Sequence, residues 1–181
     1  IYPVFEVMAS SSPTRRTLFL HVGMHKTAST YIQRRLRKNR GLLRSTGVLM
    51  PARRKVDNKL FQALLTEQWK PWRSWIQKAE ARNCNLLVSH EALSRSLHQV
   101  GTDFSTPRGV WLARKLRRCG WDLKVISFIR DQESYLNSRY TQLVKRLKIS
   151  SDFDTYVENV IQGNTTSECD MITLFGWLIG R

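Results

Sequence analysis

Acidic residues are in short supply. Fourteen Asp and Glu face thirty Lys and Arg in 181 residues, for a formal charge of +16. The imbalance points to anionic company: a nucleotide, a nucleic acid, an acidic polysaccharide or a membrane surface, with a merely solvated basic face as the plainer alternative. Cysteine is scarce too. Cys84, Cys119 and Cys169 are far apart and odd in number, so they form neither a zinc spacing nor a disulfide framework. They read as reduced structural thiols, which favours the cytosol. No apolar run approaches the ~20 residues of a membrane span. The first residues lack a basic region, an apolar stretch and a small-residue cleavage site, so no signal peptide is read there. Internal repeats, low-complexity tracts and linkers are missing as well. What is present is a hydrophobic content of 41%, enough for one globular domain with its own core.

Short apolar runs alternate with helical patterns. TLFLHVG (17–23), GVLMP (47–51), NLLVSHE (85–91) and LKVISFIRD (123–131) read as strands, the first and last of them buried. Helices are expected from about 27 to 40 with Gly41 as the stop, and over 108–118, 132–147 and 153–161, with a pair around Pro71 within 57–82. Ala28, Ile32 and Leu36 mark the apolar face of the first, and Leu136, Tyr140, Leu143, Val144 and Leu147 that of the 132–147 helix. Asp131 is placed to cap the latter. Trp69, Trp72 and Trp75 suit helix packing better than stacking on bases or sugars. The alternation predicts an α/β sandwich with a mainly parallel sheet. The final LFGWLIGR ends inside an amphipathic helical pattern, so the domain, 17–181 after a flexible segment 1–16, is expected to be incomplete at its C-terminus.

The stretch HVGMHKTASTYIQRRL (21–36) carries the chemistry. In a strand–loop–helix unit the first helical N–H groups have no internal partner, and the helix dipole adds positive charge at the same point, so phosphate binds there. Gly23 permits the turn, Lys26 adds a mobile cation, and Thr27, Ser29 and Thr30 add hydroxyl donors. The Walker A spacing, with its second Gly, is missing, and no good Walker B acid follows, which disfavours a magnesium-dependent triphosphatase. Arg130, at the end of VISFIR, and Ser138, eight residues on, could grip a second phosphate by a charged fork and a hydroxyl; an ordinary ion pair of Arg130 with Asp131 or Glu133 is the plain alternative.

GMHKTAST after a strand resembles the 5′-phosphosulfate loop of sulfotransferases that use 3′-phosphoadenosine 5′-phosphosulfate (PAPS), in the form found in bacterial and glycan-type members. FIRDQESYLNSRYTQLVK (128–145) resembles their 3′-phosphate motif, and GVLMP, LLVSHEALS and FDTYV resemble further segments. The resemblance implies a three-layer α/β sandwich of the P-loop-containing nucleotide-binding type. It implies that Lys26 contacts the 5′-phosphosulfate and stabilises the leaving phosphate. Thr27, Ser29 and Thr30 would hold the 5′-phosphate, and Arg130 and Ser138 the 3′-phosphate. His25 contacts the donor or shapes the turn, and Ala28 stands where many members have Gly. The family continues into a further strand beyond the point matched by Arg181.

Sulfuryl transfer needs in-line geometry and stabilised charge on the leaving oxygen, and it needs no metal. A general base helps the acceptor hydroxyl: Glu91 is the first candidate and His90 the second. The donor is PAPS, and the acceptor is a hydroxyl, favoured by resemblance to be a glycan, with no specific nucleic acid and no membrane span. The rival readings are a P-loop kinase or other nucleotide-dependent transferase, and a non-enzymatic binder of nucleic acid or acidic glycans. The expected location is the cytoplasm, or the Golgi lumen for a eukaryotic chain with an N-terminal anchor outside these residues.

Overall fold

A computed structural model describes residues 15–22, 29–99, 101–102, 106–128 and 132–162. Four strands are described: β1 (Arg16–Val22), β2 (Val48–Leu49), β3 (Asn85–His90) and β4 (Trp121–Ser127). They form one all-parallel sheet in the order β2-β3-β1-β4. Parallel neighbours need crossover connections, and helices supply them. Between β1 and β2 lie α1 (Ser29–Lys38) and α2 (Arg40–Ser45), and between β2 and β3 lie α3 (Arg54–Leu65) and α4 (Trp69–Glu80). Helices α5 (Leu93–His98) and α6 (Arg108–Arg117) lead into β4, and α7 (Gln132–Lys145) and α8 (Phe153–Ile161) follow it. The architecture is α/β, as the alternation predicts.

The core sits under one face of the sheet. Leu18, Leu20 and Val22 of β1 share that face with Leu86 and Val88 of β3, because alternate residues point the same way. Leu60 and Leu64 of α3, Trp72 and Ile76 of α4, Leu93 and Leu97 of α5, and Leu112 and Leu116 of α6 complete it. Each buried leucine contributes roughly 1.5–3 kcal/mol. On the other face His21, Leu87 and Ser89 are also buried, so β1 and β3 are covered on both sides, as parallel strands require.

Several boundaries differ from expectation for physical reasons. Gly41 does not stop a helix but lies inside α2, where no atom crowds it; the sharp turn falls at Gly47, whose φ of +77° glycine alone adopts cheaply. Pro71 is not between two helices but in the first turn of α4, where its missing N–H leaves no hydrogen bond unmade. Gly120, with φ +75°, does end the α6 segment. β4 begins two residues before the expected span and ends three before Arg130. It is only half buried, with Lys124 and Ile126 exposed, as is Phe128 just past its end. Val144 of α7 is exposed, and Leu147, also exposed, lies beyond the helix end at Lys145 rather than on an apolar face, while Tyr140 packs against Phe153 and Tyr156 of α8. Trp72 is fully buried, and Trp69 and Trp75 pack partly against the core. Cys84 is buried and Cys119 exposed, both as free thiols. No described helix is long and apolar enough to cross a membrane.

Candidate functional site

The register of the sheet defines the site. Val22, the last residue of β1, is level with His90, the last of β3, and with Ser127, the last of β4. All three strands are parallel, so their carboxyl ends form one row at one edge. From β1 the chain runs past β3 to β2, and from β3 it runs past β1 to β4. Neighbouring strands whose connections leave in opposite directions open a crevice at their carboxyl ends, where open α/β sheets bind ligands.

Residues 23–28 follow Val22, and α1 opens at Ser29. Gly23, His25, Lys26, Thr27 and Ala28 lie outside the described residues, as do Arg130 and Asp131. Ser29 and Thr30 are the first two residues of α1, and Thr30 is exposed. The first turn of α1 contains no acid, so no side chain of that turn opposes the positive end of its dipole. Ser138 is half-buried in the second turn of α7.

His90 and Glu91 end β3 and begin the turn into α5. His90 is stacked on Phe61 of α3, with ring centres 4.4 Å apart and planes 11° from parallel. Its Nδ1 accepts the backbone N–H of Ala92 at 3.2 Å. A backbone N–H only donates, so Nδ1 is unprotonated and the proton of the neutral ring sits on Nε2. Burial holds the His90 pKa below its ordinary value; the carboxylate of Glu91 pulls it up, and the charges of Arg54 and Arg37 push it down. Near neutral pH the ring is therefore uncharged, and its one lone pair is engaged by Ala92. Glu91 is half-buried, and its backbone carbonyl accepts the hydroxyl of Ser94 at 3.2 Å.

Two features beneath the strand ends went unread in the sequence. His21 and Ser89 face each other across β1 and β3, and His21 Nδ1 lies 2.6 Å from Ser89 Oγ. Both are buried, and burial lowers the His21 pKa. This bridge pins the two strands just below the crevice. The second feature is an ion pair. Arg37 of α1 donates to Asp57 of α3 at 2.8 Å, and Asp57 is fully buried. Burial raises the Asp57 pKa, an effect that Arg37, the Ser89 N–H and Arg54 oppose. The signal was present: Asp57, Leu60 and Leu64 fall at i, i+3 and i+7, so an acid occupies an apolar slot. Gln33, four residues before Arg37, is buried as well. The inward face of α1 thus includes 33 and 37, not only the expected 32 and 36.

Among the described residues no three His, Cys, Asp or Glu side chains are grouped to hold a metal. No family model matches this chain, and neither does any curated protein or solved structure.

Proposed function

We propose that the chain is a PAPS-dependent sulfotransferase of the P-loop-containing type, acting on a hydroxyl of a glycan or similar acceptor. The observation that carries the reading is the level row of Val22, His90 and Ser127. The segments bearing GMHKTAST, Glu91 and Arg130 leave the sheet at one edge and one height, around a crevice between strands with opposed connections. Open α/β sheets bind ligands outside the carboxyl ends of neighbouring strands, so both motifs start where one ligand could span them. The acid-free first turn of α1 fits a phosphate or phosphosulfate group.

In this reading the acceptor oxygen bonds to sulfur while the bond from sulfur to the bridging phosphate oxygen breaks. The electron pair remains on the departing phosphate, where Lys26 and the N–H groups of α1 stabilise it. Thr27, Ser29 and Thr30 hold the 5′-phosphate; Arg130 and Ser138 hold the 3′-phosphate. Glu91 takes the acceptor proton. His90 does not, because its one basic nitrogen already accepts from Ala92; the ring, held against Phe61, positions the turn that carries Glu91.

The test is a thermal melt with adenosine 3′,5′-bisphosphate against ADP with magnesium. A ligand at a hundred times its Kd stabilises by about 2.7 kcal/mol. The 3′-phosphorylated nucleotide should raise the melting temperature and ADP should do so much less, with the preference lost in Arg130→Ala. Equal shifts for the two nucleotides would refute the donor assignment.

A further inference from the structure

At the edge of the sheet away from β4, two hollows open side by side and share one wall, built from Trp75 and Lys78 of α4. The first, about 580 Å³, lies between α3 and α4 and adds Lys59 and Lys70. The second, about 480 Å³, lies between α2, the residues following β2, and α4, and adds Arg40, Arg44 and Arg82. Six cations surround the pair, and neither lining contains an acid.

The cations are ordered. Lys70, Ser74, Lys78 and Arg82 recur every four residues, so they form one row along α4 and the turn after it, with steps of ~6 Å. Arg82 donates to the carbonyl of Lys78 at 2.9 Å, which folds it back onto the row. The Lys78 ammonium sits 4.7 Å from the centre of the Trp75 ring and covers a face of the indole. Beneath the first hollow, Val56, Leu60 and Pro71 supply an apolar floor.

We propose that these hollows bind a linear acidic polysaccharide. Its carboxylates or sulfates pair with the row on α4 and with the cations facing it from α2 and α3, while the apolar floor receives the C–H face of a sugar ring. A nucleic acid fits less well. A duplex presents grooves that a projecting helix or ribbon enters, and here the protein surface recedes. A single strand needs aromatic rings free for successive bases, and here one indole is engaged by Lys78. The inference stands apart from the donor site. Leu49 is level with Leu86, four residues before His90, so the paired part of β2 lies ~13 Å along the strand direction from the row of strand ends.

The experiment titrates the whole chain, at fixed moderate salt, with a heparin oligosaccharide, a neutral dextran of similar length and an oligo(dT) of similar charge. Lys70→Ser/Lys78→Ser/Arg82→Ser is compared with Lys115→Ser/Arg117→Ser/Arg118→Ser, which removes the same charge at the end of α6. The α4 variant should weaken heparin binding by about tenfold or more, and the α6 variant by less than about threefold, the residue of screened long-range charge. Dextran should not bind, and oligo(dT) should bind more weakly than heparin. Lys70→Glu alone should weaken heparin binding in the same direction. Equal losses in the two triple variants would reduce the site to net charge and overturn the proposal, as would no heparin binding at all. Tighter oligo(dT) binding, lost selectively in the α4 variant, would reassign the hollows to nucleic acid. The nucleotide-induced melting shift, read in parallel, succeeds or fails independently of these outcomes.

Discussion

β3 and β4 flank β1 with the same kind of ladder and with opposite burial. Each pairs with β1 in parallel, and each ends level with Val22. Along β3 the four residues from Leu86 to Ser89 are buried. Along β4 only Trp121 is; Ile126 is 40% exposed, and Phe128, just past the strand, 46%. The anchors differ in kind as well. The β3 side is tied near the crevice, by His21–Ser89 and by the ion pair of Asp57. The β4 side has its hydrogen-bonded tie at the far end, where the Trp121 indole donates to Glu80 at 2.8 Å, and near the crevice a ring contact, Phe128 edge-on to His21. Backbone pairing therefore sets where the strands end, while side-chain burial sets how deeply each half of the row is built into the core. The half carrying Glu91 is built into the core, and the half leading toward Arg130 packs on it only partly, through Leu123 and Val125.

Truncation on the two strands should break this symmetry most clearly. Leu86→Ala empties a fully buried position and should cost about 3–5 kcal/mol in urea unfolding. Asp57→Ala leaves Arg37 facing a buried gap and should cost about 3 kcal/mol; Asp57→Leu with Arg37→Met should recover most of it. Glu80→Ala, which leaves the buried Trp121 N–H unpaired, should cost about 1–3 kcal/mol by the same measurement.

A pH effect comes next. Burial lowers the pKa of both His21 and His90 below 6.5, so the unfolded chain binds protons there more readily than the folded one. Their contribution to stability is complete above pH 6.5 and is lost as the pH falls through the lowered folded values. The slope is at most about 1.4 kcal/mol per pH unit for each ring. Melts of His21→Gln/His90→Gln should show a flatter profile below pH 6.5 than the parent. The smallest change is Ile126→Ala, expected below about 1 kcal/mol. A loss there equal to that of Leu86→Ala would end the distinction between the two flanks.

Much of the fold was legible because its signals are local. The apolar runs of β1, β2 and β3 are bounded by Gly, Pro or polar residues and fall within a residue or two of their spans. Strand order was not legible, since it depends on which helices cover which face. α5 escaped notice because LSRSLH reads as polar. Its serines satisfy themselves, Ser94 Oγ on the Glu91 carbonyl and Ser96 Oγ on that of Ala92, and so bury alongside Leu93 and Leu97. At the site, Glu91 and His90 were visible as the polar end of an apolar strand. The tie between His90 and Ala92 was not, since a ring nitrogen's partner two residues away depends on the turn it makes. Arg37 was hidden in a run of five cations, and only its partner on α3 distinguishes it from its neighbours.

The sheet order has a further consequence, in time rather than space. β1 emerges from the ribosome before both of its partners: β3, 68 residues later at the His21–Ser89 pair, and β4, later still. At roughly 5–20 residues per second, the β-prone segment Thr17–Val22 waits several seconds for its first hydrogen-bonded neighbour. Contacts so distant in sequence also slow refolding. A short apolar strand left unpaired is a template for wrong pairing between chains. Arg15 and Arg16 stand directly before it, and charges in that place act as gatekeepers. In the finished fold Arg15 makes an exposed 3.9 Å pair with Asp122, worth little to stability. Its larger service comes before the fold exists.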